Sequence, residues 1–475
     1  MDRVNRYTHF GLVRECAFVL ATMLGLGCAG HRTTQDAGVT TTMKSNAPKN
    51  IIVLFADGTA PTQWEFGRYS SQRLRKRPFY TTDTIFHHGV LGMMSTYSGD
   101  AIVTDSAAAG SALSTGEKTN NGMVAVAPNG TPHSTIMEVA KAEGKQIGLV
   151  TTTAIYDASP AAFSVHALHR NHVQSIVDQY LTLEPRVLIG AGAEYFLPNG
   201  VPGGKRTDDR DLLRAFAAKG YQVVRSARAL GEAKGERLLA LFPEDDEIAE
   251  SADRVSVAER AAAALRILSA SSPHGFVLFV ENENTDIAGH SNDIAQLMHA
   301  LWDFDDAVKV ALDFQSRNPN TLILVTGDHE TGGLSVTSSH RGSSSNDFVY
   351  PGDADLKMIN GITMSLNKVA NELGDKPSPD ALDRILAQHF PGFSLDPDLR
   401  RNVLEQAPIE RNFGNVTQNV LGRMIARQTG FYWGTGGHTT EPVAVGAFGP
   451  GADSFRGYQD NTDFGRRLQR LIANH

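Results

Sequence analysis

Asn50-Ile51-Ile52-Val53-Leu54-Phe55-Ala56-Asp57-Gly58 decides the fold. A short β-branched run ends there in a carboxylate and a glycine turn. The same arrangement returns at Phe276 to Val280, which is followed by Glu281, and at Leu322 to Val325, which is followed by Asp328 and His329. Further runs of this kind are Ile147 to Thr151, Val187 to Ile189 and Val443 to Phe448. Amphipathic segments alternate with them, at Ile136 to Ala142, Val255 to Leu268 and Ile294 to Phe314. The last carries Ile294, Leu297, Met298, Leu301 and Trp302 at helical spacing. Such alternation predicts an α/β fold, with a mostly parallel central sheet sandwiched by helices. From about 337 to 434 the rhythm breaks, which predicts an inserted lobe near the C-terminal third.

Open α/β sheets bind ligands at the carboxyl ends of their strands. A single acidic residue at a strand end can equally cap a helix. Three strand ends bearing ligand-type residues are harder to explain that way. In Glu281-Asn282-Glu283-Asn284-Thr285-Asp286-Ile287-Ala288-Gly289-His290, Asp286 and His290 are four apart and share one face of a helical turn. His438 lies in the glycine-rich turn Gly434-Thr435-Gly436-Gly437-His438-Thr439. Three histidines and several carboxylates without cysteine favour zinc with a harder ion nearby, because zinc takes nitrogen and oxygen while magnesium prefers oxygen alone. Ser106, in Val103-Thr104-Asp105-Ser106-Ala107-Ala108-Ala109-Gly110, opens a run of small residues that reads as a tightly packed helix. The positive end of that helix points at the serine hydroxyl and at any phosphate on it. The plain alternative is an N-cap serine on a buried helix.

Beyond these segments, composition excludes some classes. Of 475 residues, 41% are hydrophobic and 20% charged, so the chain can bury a large core. Its 44 Lys plus Arg against 52 Asp plus Glu give a net charge of −8 with no basic run, which excludes nucleic-acid binding by electrostatics. Arg3, Arg6 and Arg14 precede an apolar run from Cys16 to Gly27, the pattern of a signal peptide over residues 1–28. That run, at about twelve residues, is too short to span a bilayer. Leu24-Gly25-Leu26-Gly27-Cys28-Ala29-Gly30 resembles a bacterial lipoprotein cleavage site, with ordinary cleavage after Ala29 as the alternative. A Thr- and Ser-rich tether over 29–49 follows. The expectation is an exported protein, periplasmic or at the cell surface, with a lipid anchor at Cys28 if the lipoprotein pattern is used. Both cysteines, Cys16 and Cys28, lie in this leader, so the mature chain has no structural disulfide.

From Asn50 to Ala452 the motifs together resemble the alkaline phosphatases. They are the Asp57-Gly58 turn, Thr104-Asp105-Ser106-Ala107-Ala108, Asp157-Ala158-Ser159-Pro160-Ala161-Ala162, Glu281 to His290, Asp328-His329-Glu330-Thr331-Gly332-Gly333 and Gly437-His438-Thr439. The resemblance implies two zinc ions and one magnesium ion acting on small-molecule phosphate monoesters. It implies that Asp286, His290 and His438 bind the first zinc and Asp57, Asp328 and His329 the second. Asp57 would bridge to the magnesium, held also by Ser159 and Glu281, which Asp157 would reach only through water. Ser106 would be the nucleophile and Arg170 the phosphate clamp, with Asp105 orienting that arginine. A catalytic domain over 50–475 and a homodimer are the corresponding expectations, and a phosphodiesterase or other esterase of the same superfamily is the alternative activity. A sulfatase is disfavoured, since Ser106 is followed by Ala107-Ala108 rather than by that class's x-Pro-x-Arg setting.

Some positions depart from the family pattern. Ala56 precedes Asp57 where glycine is usual, Asn282 and Glu283 replace paired glycines, Ile287 replaces a polar residue, and Ser159 stands for threonine. His166, His169 and His340 have no role in the pattern and are expected to be structural or exposed.

Overall fold

The computed structural model describes residues 47–473 apart from 245–247, 249–253, 271 and 341–347. The expected leader, Cys28, most of the tether and the side chain of His340 lie outside the described residues.

Eight strands in chain order are β1 (Asn50–Ala56), β2 (Val90–Ser95), β3 (Gln146–Ala154), β4 (Val187–Ala191), β5 (Tyr221–Val224), β6 (Arg237–Leu241), β7 (Phe276–Asn282) and β8 (Thr321–Thr326). With strands Val443–Phe448 and Gly457–Asp460 they form one ten-stranded sheet. Its order is Gly457–Asp460, β2, Val443–Phe448, β8, β1, β7, β3, β4, β6, β5. Strand Val443–Phe448 runs antiparallel to both its neighbours, β8 and β2. All the other pairs are parallel.

Every residue of β1 is buried, as expected of a parallel strand covered on both faces. Because successive side chains point to opposite faces, Ile52, Leu54 and Ala56 enter one hydrophobic core while Ile51, Val53 and Phe55 enter the other. The sheet is thus the partition between two cores. Its central neighbours β8, β1 and β7 end level with one another, with Phe55 opposite both Glu281 and Thr326. That register brings Asp57, Glu281 and Asp328 to one rim.

Between Val336 and Phe431 the chain leaves the sheet. Strand Leu334–Val336 pairs antiparallel with Phe431–Trp433, so the chain leaves and returns at one place. Between them lie helices Asp353–Asn360, Leu366–Leu373, Pro379–His389, Pro397–Glu405 and Val416–Thr429. Beside that exit, His438–Thr439 pairs with Glu330–Thr331, carrying His438 to the rim next to His329. Among the described residues no helix is long and apolar enough to cross a membrane.

Candidate active site

Helix Ser106–Thr115 is buried at all ten positions, which its small side chains permit. A Cβ on Gly110 would sit 3.1 Å from that of Ala162, so the helix lies against helix Ala158–Ala162 with no room to spare. Asp105 is the N-cap, its Oδ1 accepting from the Ala108 amide at 2.9 Å and its Oδ2 from the Gly122 amide at 2.9 Å. The cap fixes Ser106 at the helix's positive end, and Ser106 Oγ lies 3.1 Å from His329 Nε2.

Around that hydroxyl are two clusters of ligand atoms. In the first, His290 Nε2 lies 3.2 Å from Asp286 Oδ2 and 3.1 Å from His438 Nε2. His290 Nδ1 donates to the Gly436 carbonyl and His438 Nδ1 to the Thr104 carbonyl, each at 2.8 Å. With both δ nitrogens donating to carbonyls, the ε nitrogens of the two rings and the Asp286 carboxylate are left to converge on one point, an arrangement that could hold a cation. In the second cluster, donor atoms of Asp57, Asp286 and His329 lie within 4.8 Å of one another, with Asp328 Oδ2 3.1 Å from His329 Nε2. Asp286 faces both clusters and receives the Thr331 hydroxyl.

The third expected set also converges. Ser159 Oγ donates to Asp57 Oδ2 at 3.0 Å, and Glu281 is fully buried. Both Glu281 oxygens, Asp57 Oδ1 and Asp328 Oδ2 are buried without a hydrogen-bond partner. Unpaired buried carboxylates are costly, and oxygen-binding cations are their natural partners. Burial and the neighbouring negative charges push Asp57 well up, and burial pushes Glu281 to about 8. The Asp286 charge lifts His290 to about 9, while burial and His329 press His438 down to about 4. The gathered imidazole, carboxylate and hydroxyl donors are of the kinds that divalent cations take, so the residues present could hold metal ions here.

On the clamp side, Arg170 Nη2 lies 2.6 Å from Asp157 Oδ1 and Nη1 lies 3.6 Å from Asp105 Oδ2. Asp157, expected to reach a metal only through water, is therefore the nearer partner of the arginine; it also caps helix Ala158–Ala162. Asp105, expected as the orienting residue, is the farther one, because its carboxylate is already shared between two backbone amides. His166 proves structural, meeting Glu138 at 3.1 Å and the Ala125 carbonyl at 2.9 Å. His169 Nδ1 accepts from the Asn171 amide.

Several supporting residues escaped the sequence reading. Thr331 stood inside a quoted motif but without a role. Gln63 holds Glu330, which in turn accepts from the Gly333 and Leu334 amides. The inserted lobe contributes Asn415 and Asn419, whose side-chain amides both donate to the His290 carbonyl. No spacing pattern announces such contacts between distant segments. Gly58 does have a legible reason: its φ is +67°, and a Cβ there would come within 2.9 Å of the Asp286 Cα.

Residues 48–473 match the family model for alkaline phosphatase. The chain belongs to the alkaline phosphatase family. Alkaline phosphatase 3 of Bacillus subtilis is 30% identical over 446 residues, 89% of each chain. Among solved structures, the cold-active alkaline phosphatase of a psychrophilic Shewanella is 31% identical, with TM-score 0.73 over 89% of this chain and 99% of that one. The Thermus thermophilus alkaline phosphatase is 27% identical, with TM-score 0.81 over 94% and 96%. The chain is thus an enzyme of the alkaline phosphatase family, and family and fold support hydrolysis of phosphate monoesters.

Proposed function

We propose that this chain hydrolyses phosphate monoesters through a phosphoserine on Ser106, at a site of two zinc ions and one magnesium ion. The observation that carries the reading is the Ser106 hydroxyl at a helix N-terminus, 3.1 Å from His329 and beside both ligand clusters. Asp286, His290 and His438 would hold one zinc and Asp57, Asp328 and His329 the other, with Asp57, Ser159 and Glu281 on magnesium. When bound, these ions lower hydroxyl pKa values and stabilise the oxyanions of the reaction.

The remaining steps belong to the chain itself. Arg170 binds two non-bridging oxygens of the substrate phosphate, its guanidinium oriented by Asp157 and Asp105. The amides at the start of helix Ser106–Thr115 add positive potential at the same place. Ser106 Oγ gives up its proton to solvent and forms a bond to phosphorus as the ester P–O bond opposite breaks, and the departing alkoxide takes a proton from solvent to leave as the alcohol. Water then attacks the phosphoserine from the vacated side, the Ser106 oxygen leaves, and inorganic phosphate is released. Two in-line displacements give net retention at phosphorus.

Acid quenching during turnover of labelled aryl phosphate tests this reading. Label is expected on Ser106 and absent in Ser106→Ala, which should lose most turnover while keeping its metal content. Label on another residue, or none, would overturn the mechanism. Faster hydrolysis of the matching diester or sulfate would overturn the monoesterase activity.

A further inference from the structure

In the proposed reaction Ser106 and Arg170 meet one phosphate, and the segment Asn121-Gly122-Met123-Val124-Ala125 ties together the two stretches of chain that carry them. On one side the segment is fastened to the helix that Ser106 opens. Asn121 Oδ1 accepts from the Asp105 amide at 2.9 Å, and Asn121 Nδ2 donates to the Val103 carbonyl at 3.0 Å. The Gly122 amide donates to Asp105 Oδ2 at 2.9 Å. Farther along the helix, Ser111 Oγ accepts from the Ala125 amide at 2.7 Å and donates to the Met123 carbonyl at 3.3 Å. On the other side the segment is fastened to the residues leading to Arg170. Val124 and Ala167 exchange amide-to-carbonyl bonds of 3.0 Å in both directions, and the Gly122 carbonyl accepts from the Arg170 amide at 2.7 Å. Gly122 therefore serves both sides with its two backbone groups, at a φ of +83° that glycine adopts readily.

We propose that Asn121 is a positioning residue for phosphoryl transfer, which sets the spacing between Ser106 and Arg170. The residues ahead of Ser106 offer it one donor, the Asp105 amide, and one acceptor, the Val103 carbonyl. A carboxamide answers both with a single planar group. Asn121 is exposed, so water can satisfy those backbone groups when the side chain is removed, but water does not hold them to the segment that carries Arg170. A misplacement of about 1 Å between reacting groups can cost about a hundredfold in rate. The inference rests on Ser106 as nucleophile and Arg170 as clamp, and its signature is coupling, since a spacing matters only while both of its ends are present.

The test is a double-mutant cycle of wild type, N121A, R170A and N121A/R170A as metal-loaded full chains, with kcat and KM read on an aryl phosphate. Each of the two Asn121 bonds is worth roughly two- to twelvefold, so N121A should lower kcat/KM by roughly five- to 150-fold while Arg170 is present. In the R170A background the same substitution should cost less than about twofold. N121L, which loses both bonds and keeps the volume, should match N121A and carries the test if N121A does not fold. N121A within twofold of wild type, or an equal loss with and without Arg170, would overturn the proposal. R170A as active as wild type, or acid-quenched label on a residue other than Ser106, would instead overturn the reading on which it rests.

Discussion

Arg170 meets two carboxylates at unequal distances, 2.6 Å to Asp157 and 3.6 Å to Asp105, and that geometry bears on substrate choice. A monoester offers a dianion whose free oxygens accept both arms of one guanidinium, whereas a diester brings one charge and a substituent to accommodate. Arg170→Ala should therefore lower kcat/KM on a monoester by roughly ten- to 150-fold per charge-assisted bond lost. Diester hydrolysis should fall less, and equal losses in steady-state assays of both substrates would refute the clamp. A second residue sets a pH dependence away from the site. Its hydrogen bond to Glu138 raises the His166 pKa above 6.5. The raised value means that the pair stabilises the fold below pH 6.5 and loses that contribution as pH climbs through the folded-state value. Half-exposed pairs of this kind are worth about 1 kcal/mol or less. Urea unfolding of wild type and His166→Gln should differ by that order near pH 6 and converge under alkaline conditions.

Among the elements, helix Ser106–Thr115 depends on its neighbour, helix Asn461–Ala473. A Cβ on Gly465 would lie 2.6 Å from the Gly116 nitrogen and 2.7 Å from the Ala112 oxygen, both backbone atoms that cannot rotate away. Gly465→Ala should cost about 1 to 3 kcal/mol by overpacking and shift the helix that presents Ser106. A lowered melting temperature together with reduced kcat/KM is expected, and a variant unchanged in both would refute the coupling. The same scale shows what the sequence disclosed. β1, β7 and β8 were legible because central parallel strands are apolar on both faces and end in carboxylates. β2, β5, β6 and Gly457–Asp460 were not: β2 exposes Leu91, and Tyr221-Gln222-Val223-Val224 on the outer edge is too short for a period to register. Asp286 with His290 was readable as a helical pair. The place of Glu283, whose carboxylate accepts from Thr153 beside a break in β3, was not, since that break leaves no compositional mark.

For the whole molecule, the balance of charge in its centre makes metal content the deciding measurement. Chelation should abolish activity, and zinc with magnesium should restore it. Elemental analysis of active protein should give two zinc and one magnesium per chain, and full activity with one ion would refute the ligand assignment. We propose export on the pattern of residues 1–28, with a diacylglyceryl group on Cys28. Mass spectrometry of the mature N-terminus should then find an acylated peptide starting at Cys28, and an unmodified one starting at Gly30 would refute the anchor.

The pairing of Leu334–Val336 with Phe431–Trp433 bears on how such an enzyme changes over generations. An excursion whose two ends lie side by side can grow or shrink without stretching the sheet beneath it. Its helices Pro379–His389 and Pro397–Glu405 are thus open to remodelling between lineages. The last part is not. The Asn412 carbonyl accepts from the Gly436 amide, and Asn415 and Asn419 hold the His290 carbonyl, so the segments that carry His290 and His438 lean on this stretch. Drift in the size of the lobe should halt where those asparagines begin, and descendants that trim the lobe should keep them or find another support for His290.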